Sequence, residues 1–442
     1  MAKLRLLWES WRSSLWFVPT VLVMAAVVLA QGLIEIDRHI DRTNLQTQWP
    51  RLFGAGAAGS RGMLTAIASS MITVAGVAFS ITIVALALAS SQYTSRILRN
   101  FMRDRASQTV LGTFVGIFVY CLVVLRSIRG GDEGAFVPSL AVLFAVALAF
   151  VGIGCLIFFI HHIASSIQAE SIIQSAANET IDAIDRLFPA EMGEATGADI
   201  SPGPEPPPDV QGWQSIPALR TGYIQGVDTD GLLGFAGAQN TVVRMECGIG
   251  DFVVEGASLV SVAGGKQPDD ETAAHLDALY AIGRQRTMAQ DAGFGIRQIV
   301  DVALKALSPG INDTTTAVTC VDYLTAVLAR LAARHFESPN RMDHGQLRVI
   351  ARGSTFPGML GEAFDQIRQN AAGNVKVLLS LLQALEVIAV RTQDAHRRQA
   401  LRRQADLIAE AANRTIPAPR DRDGIEAALE RLAQITKKET RP

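Results

Sequence analysis

The stretch "MLTAIASSMITVAGVAFSITIVALALASS" fills residues 63–91 and carries no charged side chain. As a helix its 29 residues would be roughly 43 Å long, more than a ~30 Å hydrocarbon core requires. Ala66, Ser69, Thr73, Gly76, Ser80, Ala87 and Ser91 fall near helical spacing and form one small, weakly polar stripe. Small residues let helix backbones approach closely in lipid, so the stripe reads as a packing face. Pores are also lined by polar and apolar rings, so a second reading is a pore lining repeated around an oligomer. The two readings coincide if the packing is between subunits.

Outward from this stretch, three more apolar runs reach spanning length: Leu15–Ile36, Thr109–Leu125 and Phe136–Ile160. The expectation is an α-helical integral membrane protein whose residues 1–165 form a domain of four transmembrane helices. Val28-Leu29-Ala30 resembles a signal-peptide cleavage site, but the first apolar run is too long and contains Pro19, so a retained signal anchor is expected. Lys3, Arg5 and Arg12 before span one, with Arg96, Arg99, Arg103 and Arg105 between spans two and three, stand against Arg38, Arg42, Arg51, Arg61, Arg126 and Arg129 on the other side, a modest bias. The positive-inside rule then places both termini in the cytoplasm of a bacterial inner-membrane protein. No span has a central Asp, Glu, Lys or Arg, which counts against a pump or an ion-coupled transporter but not against a passive pore.

The chain has 442 residues, 49% hydrophobic and 19% charged, and nearly all its apolar excess lies before residue 165. A net charge of −2 gives no footprint for nucleic acid. Cys121, Cys155, Cys247 and Cys320 show neither C-x-x-C spacing nor a histidine cluster, which argues against a zinc site and a disulfide scaffold. No metal, cofactor or catalytic residue is expected.

Beyond span four, Ile163, Ile167, Ile173, Ala177, Ile181, Ile184 and Leu187 continue a helical period, predicting a stalk over 166–188. His161-His162 at its start would sense pH or simply be solvated. The Pro- and Gly-rich residues 189–212 form a linker. Residues 213–268 change to short runs, "TGYIQGVD", "LLGFAGA", "TVVRME" and "ASLVSVAG", bounded by turn residues, which predicts a small all-β domain. "GDFVVEGASLVSV" (250–262) looks like the closing turn of a barrel-sandwich hybrid, the fold of biotinyl and lipoyl carriers. The lysine those carriers need is absent through Gly265, which leaves a spacer or docking module.

Residues 269–415 read as a helical domain, and 416–442 as a charged, peripheral tail. Leu276, Leu279, Tyr280 and Ile282 predict one apolar helical face; Phe294–Leu307 is a second helix with Arg297, Asp301 and Lys305 at i, i+4 and i+8. "KALSPGINDTTTA" (305–317) then makes a tight polar corner: Ser308-Pro309-Gly310 ends one helix, and Asn312 or Asp313 caps the next, with Thr314 in its first turn. Free N–H groups at helix starts also bind anions, so Arg284, Arg286, Arg297, Asp301, Asn312, Asp313 and Thr314 are the candidate small-anion or ligand site. A capped turn between packed helices and a subunit-docking corner are the other readings. "QLRVIARG" (346–353) predicts a lone strand, and Val375–Val390 a helix apolar enough for a bundle interior or an oligomer interface.

Four segments together, "ALSPGINDTTTA", "RTMAQDAGFGIRQIVDVALKA", "FDQIRQNA" and "GVAFSITIVALALASSQYTSR", resemble the bacterial predicted-membrane-protein family called domain of unknown function 2254. The likeness covers nearly the whole chain, and it brings no activity, cofactor or catalytic residue to carry over. Proline is common just after the family's "IND", where this chain has Thr314; proline at a first helical position fits the capping reading. The expected function is a homo-oligomeric passive channel or pore with a cytoplasmic regulatory region, or else a membrane-anchored ligand sensor or scaffold. An enzyme is not expected, because Asp291, Arg297, Asp301 and Asp313 lack a nucleophile, base or metal set that would name a reaction.

Overall fold

The computed structural model describes residues 16–39, 56–92, 104–129, 136–166, 168–188, 212–264, 269–371 and 373–437. The Pro-rich segment 189–211 lies outside them, as do Lys3, Arg5, Arg12, Arg42, Arg51, Arg96, Arg99 and Arg103. The chain divides into two compact units, Met1–Ser171 and Ile172–Pro442.

The first unit holds four apolar helices: α1 (Phe17–His39), α2 (Ala57–Gln92), α3 (Arg105–Ser127) and α4 (Ser139–Ser166). Helix α3 is the centre, with Val110, Phe114, Ile117, Tyr120, Cys121 and Val124 buried and the other three helices packed on it. Its Gly112-x-x-x-Gly116 spacing explains the close approach of α1. A Cβ at Gly112 would lie 2.8 Å from Pro19 Cα, and one at Gly116 would lie 3.6 Å from Leu22 O. Without a hydrophobic drive between helices in lipid, such backbone contact is a main source of association. The outer surfaces carry Val21, Met24 and Val28 on α1 and Phe150, Ile153 and Ile157 on α4, apolar as a lipid-facing belt must be.

Helix ends in this unit are closed by tertiary contacts. Asp37, next to Arg38 in sequence and nearly fully buried, accepts from the N–H groups of Leu140 (3.2 Å) and Ala141 (3.1 Å) at the start of α4. Tyr120 donates to the Ala141 carbonyl (2.8 Å), and Arg61 donates to Ile128 O (3.0 Å) just past α3. Near the end of α4, His162 meets Asp104 at 2.7 Å while the Asp104 carboxylate caps α3 through Ala106 and Ser107.

A fifth helix, Thr314–Ala332 in the second unit, is also long and apolar enough to cross a membrane by length and composition. Its mean hydropathy is 1.2, against 2.1 to 2.9 in the other four.

Helix α5 (Ala169–Leu187), separate from α4, has all but its first three residues in the second unit, so the helical period read from span four to Phe188 is shared between two helices. Two sheets follow, built from β1 (Trp213–Pro217), β2 (Gly222–Val227), β3 (Val243–Met245), β4 (Phe252–Val253), β5 (Ser258–Ala263), β6 (Tyr280–Gly283), β7 (Asn340–Asp343) and β8 (Gln346–Ile350). Their orders are β1-β5-β3-β8-β7 and β4-β2-β6, antiparallel except for the parallel β3–β8 pair. Ile216, Ile224, Val243, Leu259, Val260, Tyr280 and Val349 form their core.

Three expectations are corrected here. "LLGFAGA" is not a strand but lies in α6 (Thr229–Ala238), started by Asp228 accepting from Gly231 N–H at 3.0 Å. Tyr280 and Ile282 do not continue a helical face: α7 (Asp270–Ala278) ends first, and both residues enter β6 against β2. "QLRVIARG" is not a lone strand, because β8 pairs with β7 and β3. Both sheets thus draw strands from beyond residue 268, so the short runs of 213–268 do not close a β unit alone.

The helices α8 (Ala292–Ala306), α9 (Thr314–Ala332), α10 (Phe356–Asn370), α11 (Val375–Val390), α12 (Ala395–Thr415) and α13 (Pro419–Lys437) form a bundle. Leu378, Leu381, Leu382, Leu385 and Ile388 bury α11 among α9, α12 and α13. The charged tail is not peripheral over its described part. Ile425, Ala428 and Leu432 of α13 are buried at i, i+3 and i+7, and Arg431 pairs with Glu386 of α11 at 3.1 Å. Its many charges lie on the opposite face, which is why composition alone misplaced it. At the other edge, Asp185 of α5 takes a two-pronged pair from Arg330 of α9 (2.8 Å each) and a further one from Arg334.

Because Asp37 supplies the acceptor for two N–H groups at the start of α4, Asp37→Ala should cost about 1–3 kcal/mol of stability. Asp37→Asn, which keeps one acceptor oxygen, should lose less. Thermal unfolding of the two variants in detergent reads this directly, and equal melting of Asp37→Ala and the parent chain would refute the closure role.

Candidate functional site

Helix α2 has 36 residues, about 54 Å, and two unlike faces. Leu64, Ala68, Met71, Ala75, Ala78 and Ala85 are buried against the rest of the unit. Ala66, Ser69, Thr73, Gly76, Ser80 and Ala87 are all exposed; the side chain of Ser91 lies outside the described residues. At 100° per residue the exposed set lies roughly opposite the buried one. Among the described residues of its unit, nothing packs on the stripe.

Its spacing is regular. Gly59, Ala66, Thr73, Ser80 and Ala87 recur every seven residues, and Gly62, Ser69, Gly76 and Ile83 recur in step between them, all exposed. A seven-residue repeat of small residues is the seam of a left-handed helix pair. Nothing lies within 4 Å of a Cβ built at Gly59, Gly62 or Gly76, so a second backbone has room to approach. The hydroxyls are compatible with an apolar surrounding, because Thr73 donates to Ser69 O (2.8 Å) and Ser80 to Gly76 O (2.9 Å). Each oxygen still presents lone pairs outward, which makes the seam weakly polar and uncharged.

The corner is a pair of tied helix starts. Ser308 closes the end of α8 by donating to Lys305 O (2.6 Å), and the Asp313 N–H donates to Ala306 O (2.8 Å). Asn312 sits in the left-handed region at φ 49°, which Asn tolerates better than most residues. Asp313 caps α9, accepting from the Thr316 N–H (3.0 Å) and hydroxyl (2.6 Å). Asn374 caps α11 and also donates to Thr314 Oγ1 (2.8 Å), joining the two starts. A carboxylate thus occupies the place an anion would take at the start of α9. The hydrogen bonds from Thr316 hold the Asp313 pKa below the usual carboxylate range.

The other candidate residues serve local pairs. Arg286 meets Asp291 through two bonds (2.9 and 3.2 Å), and Asp291 caps α8 through the Phe294 N–H (3.0 Å). Gly250, at φ +89°, brings its backbone against that pair; a Cβ there would be 2.7 Å from Asp291 Oδ2. Arg297 pairs with Asp301 at 2.9 Å and Glu362 at 3.4 Å, while Arg284 is exposed. Of the sequence-selected set, Arg297 and Asp301 are brought together directly, and Asn312–Thr314 share the corner. Sequence reasoning passed over Asp37, the Asp104–His162 pair and a cavity between α10 and α12 lined by Phe356, Arg397 and Arg403. Arg397 and Arg403 lie in the part of the helical domain for which no site was read; the apolar Ala400 and Leu401 between them were the available signal.

Replacing Asp313 with Ala should cost about 1 kcal/mol through the lost cap. Because its folded pKa is depressed, this contribution is present above the unfolded value and disappears as pH falls through the folded one, below about pH 4. Denaturant unfolding at pH 7 and at pH 3 should show the parent–variant gap closing at the lower pH; a gap of the same size at both would contradict the cap.

Residues 12–387 match the family profile described as "Predicted membrane protein (DUF2254)". The chain is 34% identical over 440 residues to the uncharacterized protein MT1328 of Mycobacterium tuberculosis (strain CDC 1551 / Oshkosh), and 33% identical over 440 residues to the uncharacterized protein Mb1321c of Mycobacterium bovis. Each alignment covers 97% of this chain and 81% of the relative. No solved structure matches it. The chain belongs to the DUF2254 family of predicted membrane proteins.

Proposed function

We propose that the protein assembles with copies of itself through the outer seam of α2, and that these helices line a passive pore. The observation that carries the reading is the exposure of Ala66, Ser69, Thr73, Gly76 and Ser80 on the face opposite the packed one. A lipid-facing helix needs no repeat of small residues; a helix that meets its own copy does. The uncharged seam suits passive conduction, since coupled transport uses ionisable groups inside the membrane. The acid near the end of α1, Asp37, is occupied with helix closure.

In this reading α1 to α4 are the four spans and α9 stays in the helical bundle, where Cys320, Val321, Leu324, Val327 and Leu328 are buried. The Arg and Lys distribution favours cytoplasmic termini in a bacterial inner membrane, with the second unit as a regulatory region and no catalytic step. A membrane-anchored sensor or scaffold is the second reading, favoured by the cavity between α10 and α12.

Single cysteines at Ser69, Thr73 and Ser80, in a background with Cys155 and Cys247 replaced by serine, should cross-link between subunits in membranes. Proteoliposomes of the parent chain should conduct ions, and Ser80→Trp should change that flux several-fold. Absence of cross-links would refute the seam. Cross-linked but silent protein would refute the pore and leave the sensor reading.

A further inference from the structure

The structure assigns a second binding site, independent of the seam. We propose that the cavity between α10 and α12 takes a small organic anion with a compact apolar body, of the aryl phosphate or aryl carboxylate class. Its volume is about 420 Å³, within the range of small-molecule sites. The apolar part of its lining is Phe336, Phe356, Pro357 and Ala400. The polar part is dominated by Arg397 and Arg403, with His396 beside them.

Arg397 is held in place before any ligand arrives. Its guanidinium carbon lies 5.2 Å from the Phe336 ring centre and 5.8 Å from that of Phe356, and Nη1 donates to Ala332 O at 2.8 Å. Phe336 is itself braced by Phe188, with ring centres 4.8 Å apart. A guanidinium fixed on one face and at one nitrogen offers its remaining edge at little entropic cost. His396, Ala400 and Arg403 follow at i, i+4 and i+7 along α12, on one face of that helix.

Asp394, the carboxylate in the lining, does not cancel this field. It caps α12 by accepting from the Arg397 N–H at 2.7 Å, so its charge is directed into the helix start. Two guanidiniums against one committed carboxylate select an anion over a metal or an amine. The apolar walls beside them favour a ligand with a carbon body over a bare inorganic ion.

The test uses the full chain in lipid nanodiscs, titrated separately with phenyl phosphate and inorganic phosphate and followed by ligand-observed NMR. Phenyl phosphate should bind more tightly than inorganic phosphate. Arg403→Glu, an exposed change that leaves the fold intact, should weaken phenyl phosphate by about tenfold or more. Ala400→Trp should abolish its binding by filling the cavity; if that variant misfolds, the Arg403→Glu result decides alone. Failure of phenyl phosphate to bind at millimolar concentration, equal affinity for the two probes, or unchanged affinity in Arg403→Glu would overturn the proposal.

Discussion

A helix in a bilayer satisfies its backbone internally except at its ends, where N–H and C=O groups need partners that lipid does not offer. In this protein those partners come from other helices. Asp37 of α1 receives the N–H groups that begin α4, Tyr120 of α3 donates to the same turn, and Arg61 of α2 donates to the carbonyl just past α3. Asp104 and His162 do the same work near the far end of α4. These contacts fix the four helices around α3. Once fixed, α2 spends one face inside the unit and presents the other to whatever lies outside.

The proposed function rests on that outer face. Its seven-residue repeat, made almost wholly of Gly, Ala, Ser and Thr, is not covered by the described residues of its unit, whose buried face on α2 is a different set. Large side chains such as Ile72, Val77, Phe79 and Val84 flank it, exposed as a lipid-facing surface would be. A narrow small-residue groove between bulky walls fits a copy of the same helix.

The second unit uses its polar residues differently. Asp228, Asp269, Asp291, Asp313, Thr355, Asn374 and Asp394 each cap a helix with a side-chain oxygen. Those signals were legible in the sequence at the corner, where Asp313 stands before three threonines. They were missed at Asp228, because Leu232–Ala238 is a short apolar run bounded by turn residues, which reads as a strand. The four long apolar helices of the first unit were legible from length and hydropathy alone, and so was the run of small residues on α2. Which side of α2 the stripe occupies was not, since that depends on where α1, α3 and α4 pack. Asp37 escaped notice for the same reason: it sits next to polar flanking residues, and only the tertiary position of Ala141 makes it a cap. The sheets were half legible: strands before residue 268 needed partners from Tyr280–Gly283, whose first residues read as helix, and from 340–350, where a strand was read but its pairing is set by tertiary position.

The proposed pore requires that the outer seam of α2 join copies of this chain. The most direct measurement is native mass spectrometry of the full protein released from lipid nanodiscs, with Gly76→Leu beside the parent. A defined multimer for the parent, reduced to monomer by one bulky side chain in the seam, is the predicted result. A parent that is monomeric, or a multimer indifferent to Gly76→Leu, would contradict it.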